Sequence, residues 1–284
     1  MIRTPARKDD EAEISRIRGE QQRRAREIPN GFYDWHRPIN QFFHFGVCRA
    51  AIAALVREEL FPLEPRRVAD IGCGAGTQSL LWAELGHHVH GLDVNEPLLE
   101  LVRKRASEAG YSIDVRVGSA IKLPWADASM DVCLLIELLE HVAGWEPCLS
   151  ECQRVLKPGG ILFLTTSNKL CPIQQEFDLP LYSWYPRFLK RHFERLAVTT
   201  RPELVSHAEF PAVNWFTFYG LRDVLRAGNF RCLDRFDMMD LSAKGSGAKT
   251  IVSLIRSVAV LRWFAHVATE GTTIAGIKGA GARQ

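Results

Sequence analysis

From about residue 66 to residue 168 the apolar positions follow two alternating rhythms. Short apolar-rich stretches at 68–71 and 113–117, an unbroken apolar run at 132–136 and another that begins after Gly160 fit short strands. Between them, apolar residues spaced three and four apart fit helices. One covers 77–85, with Leu80, Leu81, Ala83 and Leu85, and stops at Gly86. Another covers about 97–109, with Pro97 near its start, where a missing N–H costs nothing, and Gly110 at its end. Further along, the pattern predicts a helix over about 217–227, a sixth strand over 230–238 and a seventh over 272–278. A helix at 251–267 places Ile251, Leu254, Ile255, Val258, Leu261 and Phe264 on one face, for which core packing is the expected use and an apolar substrate pocket, a docked partner or a membrane interface are the alternatives. Strands alternating with helices predict an α/β chain with a mostly parallel, doubly wound sheet.

The join between the first strand and its helix carries the first chemistry. Asp70-Ile-Gly-Cys-Gly-Ala-Gly puts glycines at 72, 74 and 76, a turn in which main chain can approach a ligand with no Cβ in the way. The free N–H groups of the helix that starts at Thr77 point into that turn. The second strand, 88–93, ends on Asp93. A carboxylate at this place, about 20 residues past the first glycine, is set to accept hydrogen bonds from both hydroxyls of a ribose. The ligand should carry a nucleoside. These features alone leave a nicotinamide dehydrogenase open.

Two stretches lie outside this core pattern. Residues 1–27 mix Arg, Lys, Asp and Glu and read as a charged extension; the main domain is expected over 28–284. Phe32, Tyr33, Trp35, Phe42, Phe43 and Phe45 precede an amphipathic helix predicted over 48–60, as packing on the sheet or as part of a lid. Residues 169–215 form a long insertion with many aromatics, prolines and the basic groups Arg187, Lys190, Arg191, His192 and Arg195. A connection of that length with its own apolar content reads as a substrate-recognition cap. Its candidate polar groups are Glu176, Asp178, His192 and His207, and its basic run reads as a solvated helix face, with an acidic or phosphate-bearing substrate or an anionic membrane surface as alternatives.

Composition narrows the class. A formal charge of +3 is too slight to argue for nucleic acid without a clustered patch. The seven cysteines are scattered without a C-x-x-C pair and read as reduced and structural. With no run of about 18 apolar residues and a charged start, the expectation is a cytoplasmic protein, with peripheral membrane contact left open. No carboxylate cluster suggests a metal.

Asp70-Ile-Gly-Cys-Gly-Ala-Gly with Asp93 resembles the cofactor signature of class I S-adenosylmethionine-dependent methyltransferases. Two further stretches match that family in the right order. Gly118-Ser-Ala-Ile-Lys-Leu-Pro-Trp-Ala-Asp-Ala-Ser-Met-Asp131 is similar to its adenine-edge segment, with Ser119 in place of the usual Asp. Leu156-Lys-Pro-Gly-Gly160 is similar to its join of helix to fifth strand, which dehydrogenases lack. The resemblance covers about residues 66–168. It implies a seven-stranded sheet, the last strand antiparallel between the fifth and sixth, with S-adenosyl-L-methionine as cofactor. It also implies roles: Asp70 and the main chain of Gly72, Gly74 and Gly76 at the methionine end, Asp93 on the ribose with Val94 and Asn95 beside it, Ser119 and Ala120 flanking the adenine, and Glu137 near the methionine moiety.

The fourth strand opens onto Glu137-Leu-Leu-Glu-His-Val142, and its Leu-Glu-His-Val run resembles small-molecule hydroxyl methyltransferases, including ubiquinone-pathway enzymes that methylate a prenylated phenol. His141 is the candidate general base, since histidine's ordinary pKa of about 6.5 suits that role; the alternative is a helix-start histidine that packs locally. The expectation is methyl transfer to a hydroxyl of a phenol, lipid or glycan precursor. Methylation of nitrogen, carbon or protein, and cofactor binding without catalysis, stay open.

Overall fold

The structure, a computed structural model, describes residues 65–174, 177–204, 212–239, 241 and 244–279. The charged extension, the upstream aromatic cluster, the helix at 48–60, Glu176 and His207 lie outside the described residues. Seven strands form one sheet in the order β3-β2-β1-β4-β5-β7-β6. They are β1 (Arg67–Ile71), β2 (His88–Asp93), β3 (Asp114–Val117), β4 (Met130–Ile136), β5 (Leu156–Ser167), β6 (Phe230–Asp234) and β7 (Gly271–Lys278). Pairing is parallel from β3 through β5, and β7 runs antiparallel between β5 and β6. The doubly wound, mostly parallel sheet is therefore present as expected.

Strand period sorts the core. Ala69, Ile71, Cys133, Leu135, Leu162 and Leu164 face one layer, with α3 (Trp145–Val155) and α5 (Phe218–Ala227) packed on it. Val68, Val132, Leu134, Ile161 and Phe163 face the other, against Trp82 of α1 (Thr77–Glu84). The helix α2 (Glu96–Ala109) starts at Asn95, whose side-chain oxygen accepts from the N–H of Leu98.

Three expectations need correction. The inner face of α1 is Gln78, Ser79 and Trp82 rather than the Leu80–Leu85 stripe, because Ser79 has to reach Asp70. Pro158-Gly159-Gly160 is not a separate turn before β5. It bulges within the strand, where Leu156 pairs with Met130 and Ile161 already pairs with Val132, and Gly159 takes φ 77°. The helix expected over 251–267 is two helices, α6 (Ser246–Ser257) and α7 (Ala259–Val267), bent by 107°. The break falls at Val258, a β-branched residue in extended conformation, next to Ser257, whose hydroxyl donates back to the Ser253 carbonyl.

The cap forms a small core of its own. Its helix α4 (Arg187–Thr199) packs with Phe177, Tyr182, Tyr185 and Trp215, and Phe177 stacks on Tyr182 at 4.1 Å between ring centres. Much of the aromatic content of the insertion is thereby consumed in holding the insertion together. Lys190 is not on the solvated face: it is buried, with Nζ 3.8 Å from the ring centre of Trp215. Burial first, then the charge of Lys169, brings its pKa down to about 8. Asp178 and His192 are exposed.

Candidate functional site

The carboxyl ends of β1, β2, β3 and β4 meet at one edge of the sheet. After β1 the chain turns at Gly72, whose N–H donates to the Leu92 carbonyl at 2.7 Å. Gly72 has φ 73°, and a Cβ there would stand 2.6 Å from Leu138 Cδ1. The glycine thus lets the loop after β1 lie directly against the loop after β4. Gly76, at φ 77°, admits Val102 of α2 in the same way, whereas a Cβ on Gly74 would meet nothing within 4 Å. The open side of the loop is at Gly74.

Asp93 closes this loop from the tip of β2. One carboxylate oxygen accepts from the N–H of Gly74 and the other from the N–H of Asn95, each at 2.9 Å. Burial raises its pKa, and the N–H bonds work against that shift. Each oxygen keeps lone pairs for a further donor. Asp70 is placed differently. It is buried beneath the loop, accepts from Ser79 Oγ at 2.5 Å, and burial lifts its pKa to about 6 despite that bond. Val94 is exposed, and Asn95 is buried at the start of α2. Ser119 is exposed at the end of β3 and Ala120 half-buried beside it, with Gly118 N–H tied to the Asp93 carbonyl.

Glu137 leaves β4 at φ 47°, its N–H bonded to the carbonyl and hydroxyl of Thr165. The strain turns the chain sharply into residues 138–142. His141 lies in that turn, half-buried, ahead of α3 rather than at its start. The turn is gripped from the cap: Val213 and Asn214 N–H both donate to the Glu140 carbonyl, and Asn214 Nδ2 donates to the carbonyls of Leu139 (3.1 Å) and Val142 (2.7 Å). Glu140 itself is fully buried, accepting from Thr166 Oγ1 at 2.8 Å. Burial, and then the neighbouring Glu137 carboxylate, push its pKa well above the usual carboxylate range. Glu140 is inside the Leu-Glu-His-Val run, but nothing in the sequence distinguishes it from a solvated glutamate. Asn214 has no local signal either, because its partners lie more than 70 residues away.

Comparison with known proteins agrees with this geometry. Residues 69–164 match a family described as a methyltransferase domain. A ubiquinone biosynthesis O-methyltransferase of Mesorhizobium japonicum is 32% identical over 191 residues, which cover 63% of this chain and 73% of that protein. One of Agrobacterium fabrum is 40% identical over 108 residues, and there the chain spans 43% of the relative's length. The crystal structure of an S-adenosylmethionine-dependent methyltransferase from Mesorhizobium loti superposes with a TM-score of 0.51 at 18% identity, covering 81% of this chain and 98% of that one, a likeness of fold alone.

Proposed function

Because the chain belongs to the class I S-adenosylmethionine-dependent methyltransferases, we propose that it methylates a hydroxyl of a small molecule, a phenol, lipid or glycan precursor, with His141 taking the proton. The similarity to enzymes named ubiquinone biosynthesis O-methyltransferases supports an oxygen acceptor. S-adenosylmethionine supplies a methyl group already activated on sulfur. What the chain adds is alignment, exclusion of water and a place for the proton.

The residues present fit the cofactor. Asp93 has acceptor capacity left after its two N–H bonds and would hold the ribose hydroxyls, with Val94 and Asn95 alongside. The main chain of Gly72, Gly74 and Gly76 would lie along the methionine end, Asp70 supporting it from beneath. Ser119 and Ala120 would flank the adenine, and Glu137 would sit by the methionine moiety.

One observation carries the acceptor side: the His141 turn is fixed on two flanks, by Leu138 packed on Gly72 and by Asn214 holding the carbonyls of Leu139 and Val142. The turn that carries His141 is thereby held through Leu138 against the loop after β1. Glu140, buried and bound to Thr166, stabilises the turn, and the base role falls to the half-buried His141.

The test supplies the purified protein with cofactor labelled by carbon-13 in the methyl group and a panel of phenolic, lipid and sugar acceptors. The carbon shift of the product distinguishes O-linked from N- or C-linked methyl. An O-linked product is expected, with His141→Ala slower by on the order of 100-fold and cofactor affinity by calorimetry unchanged. Methyl on nitrogen or carbon, or a wild-type rate for His141→Ala, overturns the reading.

A further inference from the structure

The helix pair between β6 and β7 is turned inside out. A helix on a globular protein normally presents its apolar stripe to the core and its charges to water. Here, apart from the buried Val252, the inward contacts that hold the pair are polar. Arg256 donates through Nε to the Phe236 carbonyl and through Nη2 to the Met239 carbonyl, each at 2.8 Å. Arg262 Nε donates to Asp234 at 2.7 Å and its Nη2 to Asp237, while His266 Nε2 lies 2.9 Å from Asp234. These groups clamp α6 and α7 to β6, the edge strand of the sheet. Outward go Ile251 (60% exposed), Leu254, Val260 (63%), Leu261, Trp263 and Phe264 (58%). The stripe expected to pack into the core is thus on the surface.

Charge says what would cover it. Residues 241–269 contain Lys244, Lys249, Arg256 and Arg262 and not one Asp or Glu. Lys244 and Lys249, at the start of the pair, are exposed. Apolar bulk, a tryptophan and exposed lysines without acidic neighbours form the pattern of a segment that lies in the headgroup region of an anionic membrane. Geometry agrees with lying rather than crossing. A helix of 12 residues is about 18 Å long, well short of the roughly 30 Å hydrocarbon core. Among the described residues no single helix is long and apolar enough to cross a membrane, and the two pass such a test only as a pair bent by 107°.

We propose that the α6–α7 elbow docks this protein on an anionic phospholipid bilayer, with Ile251, Val260, Trp263 and Phe264 entering the interface and Lys244 and Lys249 facing the headgroups. None of these residues belongs to the proposed catalytic turn or to the cofactor loop, so the inference holds whichever atom accepts the methyl group. Its consequence is that an apolar acceptor would be met at the membrane.

Flotation of the full chain with vesicles tests it. Vesicles of phosphatidylcholine with phosphatidylglycerol should carry the protein upward, vesicles of phosphatidylcholine alone much less, and added salt should release it. Trp263→Glu with Phe264→Glu, both at exposed positions, should lower partitioning on the order of tenfold or more, and Lys244→Glu with Lys249→Glu should abolish the preference for the anionic lipid. Circular dichroism and cofactor affinity should be unchanged in all of them. No flotation of wild-type protein overturns the proposal, as does flotation indifferent to these substitutions. A dimer in solution that the Trp263 and Phe264 substitutions dissociate, without lipid binding, would assign the face to a second copy instead.

Discussion

Gly72 shows how much of the site hangs on a missing side chain. It combines φ 73° with Leu138 in the place a Cβ would take, 2.6 Å away. An alanine there carries the left-handed backbone cost of about 1–2 kcal/mol, and it also pushes Leu138 out of its place beside the cofactor loop. Gly72→Ala is therefore expected to weaken S-adenosylmethionine binding by roughly tenfold, a calorimetric measurement, whereas Gly86→Ala, at φ 85° but with open space at its Cβ and outside the loop, should leave it unchanged. An unchanged affinity for Gly72→Ala would mean that the packing on Leu138 does not matter. At this scale the sequence was informative where chemistry is local. Three glycines, Asp93 and Asn95 were legible because the loop that joins them spans some two dozen residues. Glu140 and Asn214 were not, since burial of a carboxyl and a grip across more than 70 residues leave no mark in the neighbouring sequence.

Among the elements, the helices at 77–85, 97–109 and 217–227 and the seven strands follow from period and punctuation, and the segment between β6 and β7 departs from them. Periodicity found apolar residues one helical turn apart in 251–267 and took them for a core face. What decided the outcome was Asp234, buried at the end of β6, which draws Arg262 and His266 inward and so turns the apolar residues out. Burial works against the charge of Asp234, but the hydrogen bonds from His266 and Arg262 outweigh it and hold its pKa at about 2. Its ordinary value in the unfolded chain is about 3.8. A depressed carboxylate contributes stability that is present above its unfolded pKa and is lost as pH falls from about 4 towards 2. Asp234→Asn should then cost on the order of 1–2 kcal/mol at pH 7, read as a fall in Tm of about 2–4 °C per kcal/mol, with the deficit shrinking below pH 4. A deficit as large at pH 3 as at pH 7 would show that packing, not charge, holds the elbow.

For the molecule as a whole, the cap is a second small core tied to the sheet at both of its ends. At its start, Asn168 is buried and donates to the carbonyls of His266 and Thr269, each at 2.7 Å, which fixes the cap to the end of α7. At its end, residues 212–216 return along the His141 turn, and Lys169 N–H meets the Phe216 carbonyl at 2.7 Å. The sequence revealed the insertion by its length and aromatic content, but not its ties, because the asparagines that make them look like ordinary loop residues. These two ties predict different outcomes. Asn214→Ala leaves the carbonyls of Leu139 and Val142 without their side-chain donor and loosens the turn that carries His141, while the cofactor loop keeps its own bonds to Asp93 and Leu92. It should lower kcat/KM for the acceptor by about tenfold, the loss of roughly 1.4 kcal/mol expected of such bonds, with cofactor Kd unchanged. Asn168→Ala removes two bonds that run to the end of α7 rather than to that turn, and should appear mainly in Tm. If Asn214→Ala weakened cofactor binding as much as turnover, the cap would be supporting the whole edge of the sheet, and the separation of cofactor loop from acceptor turn would be lost.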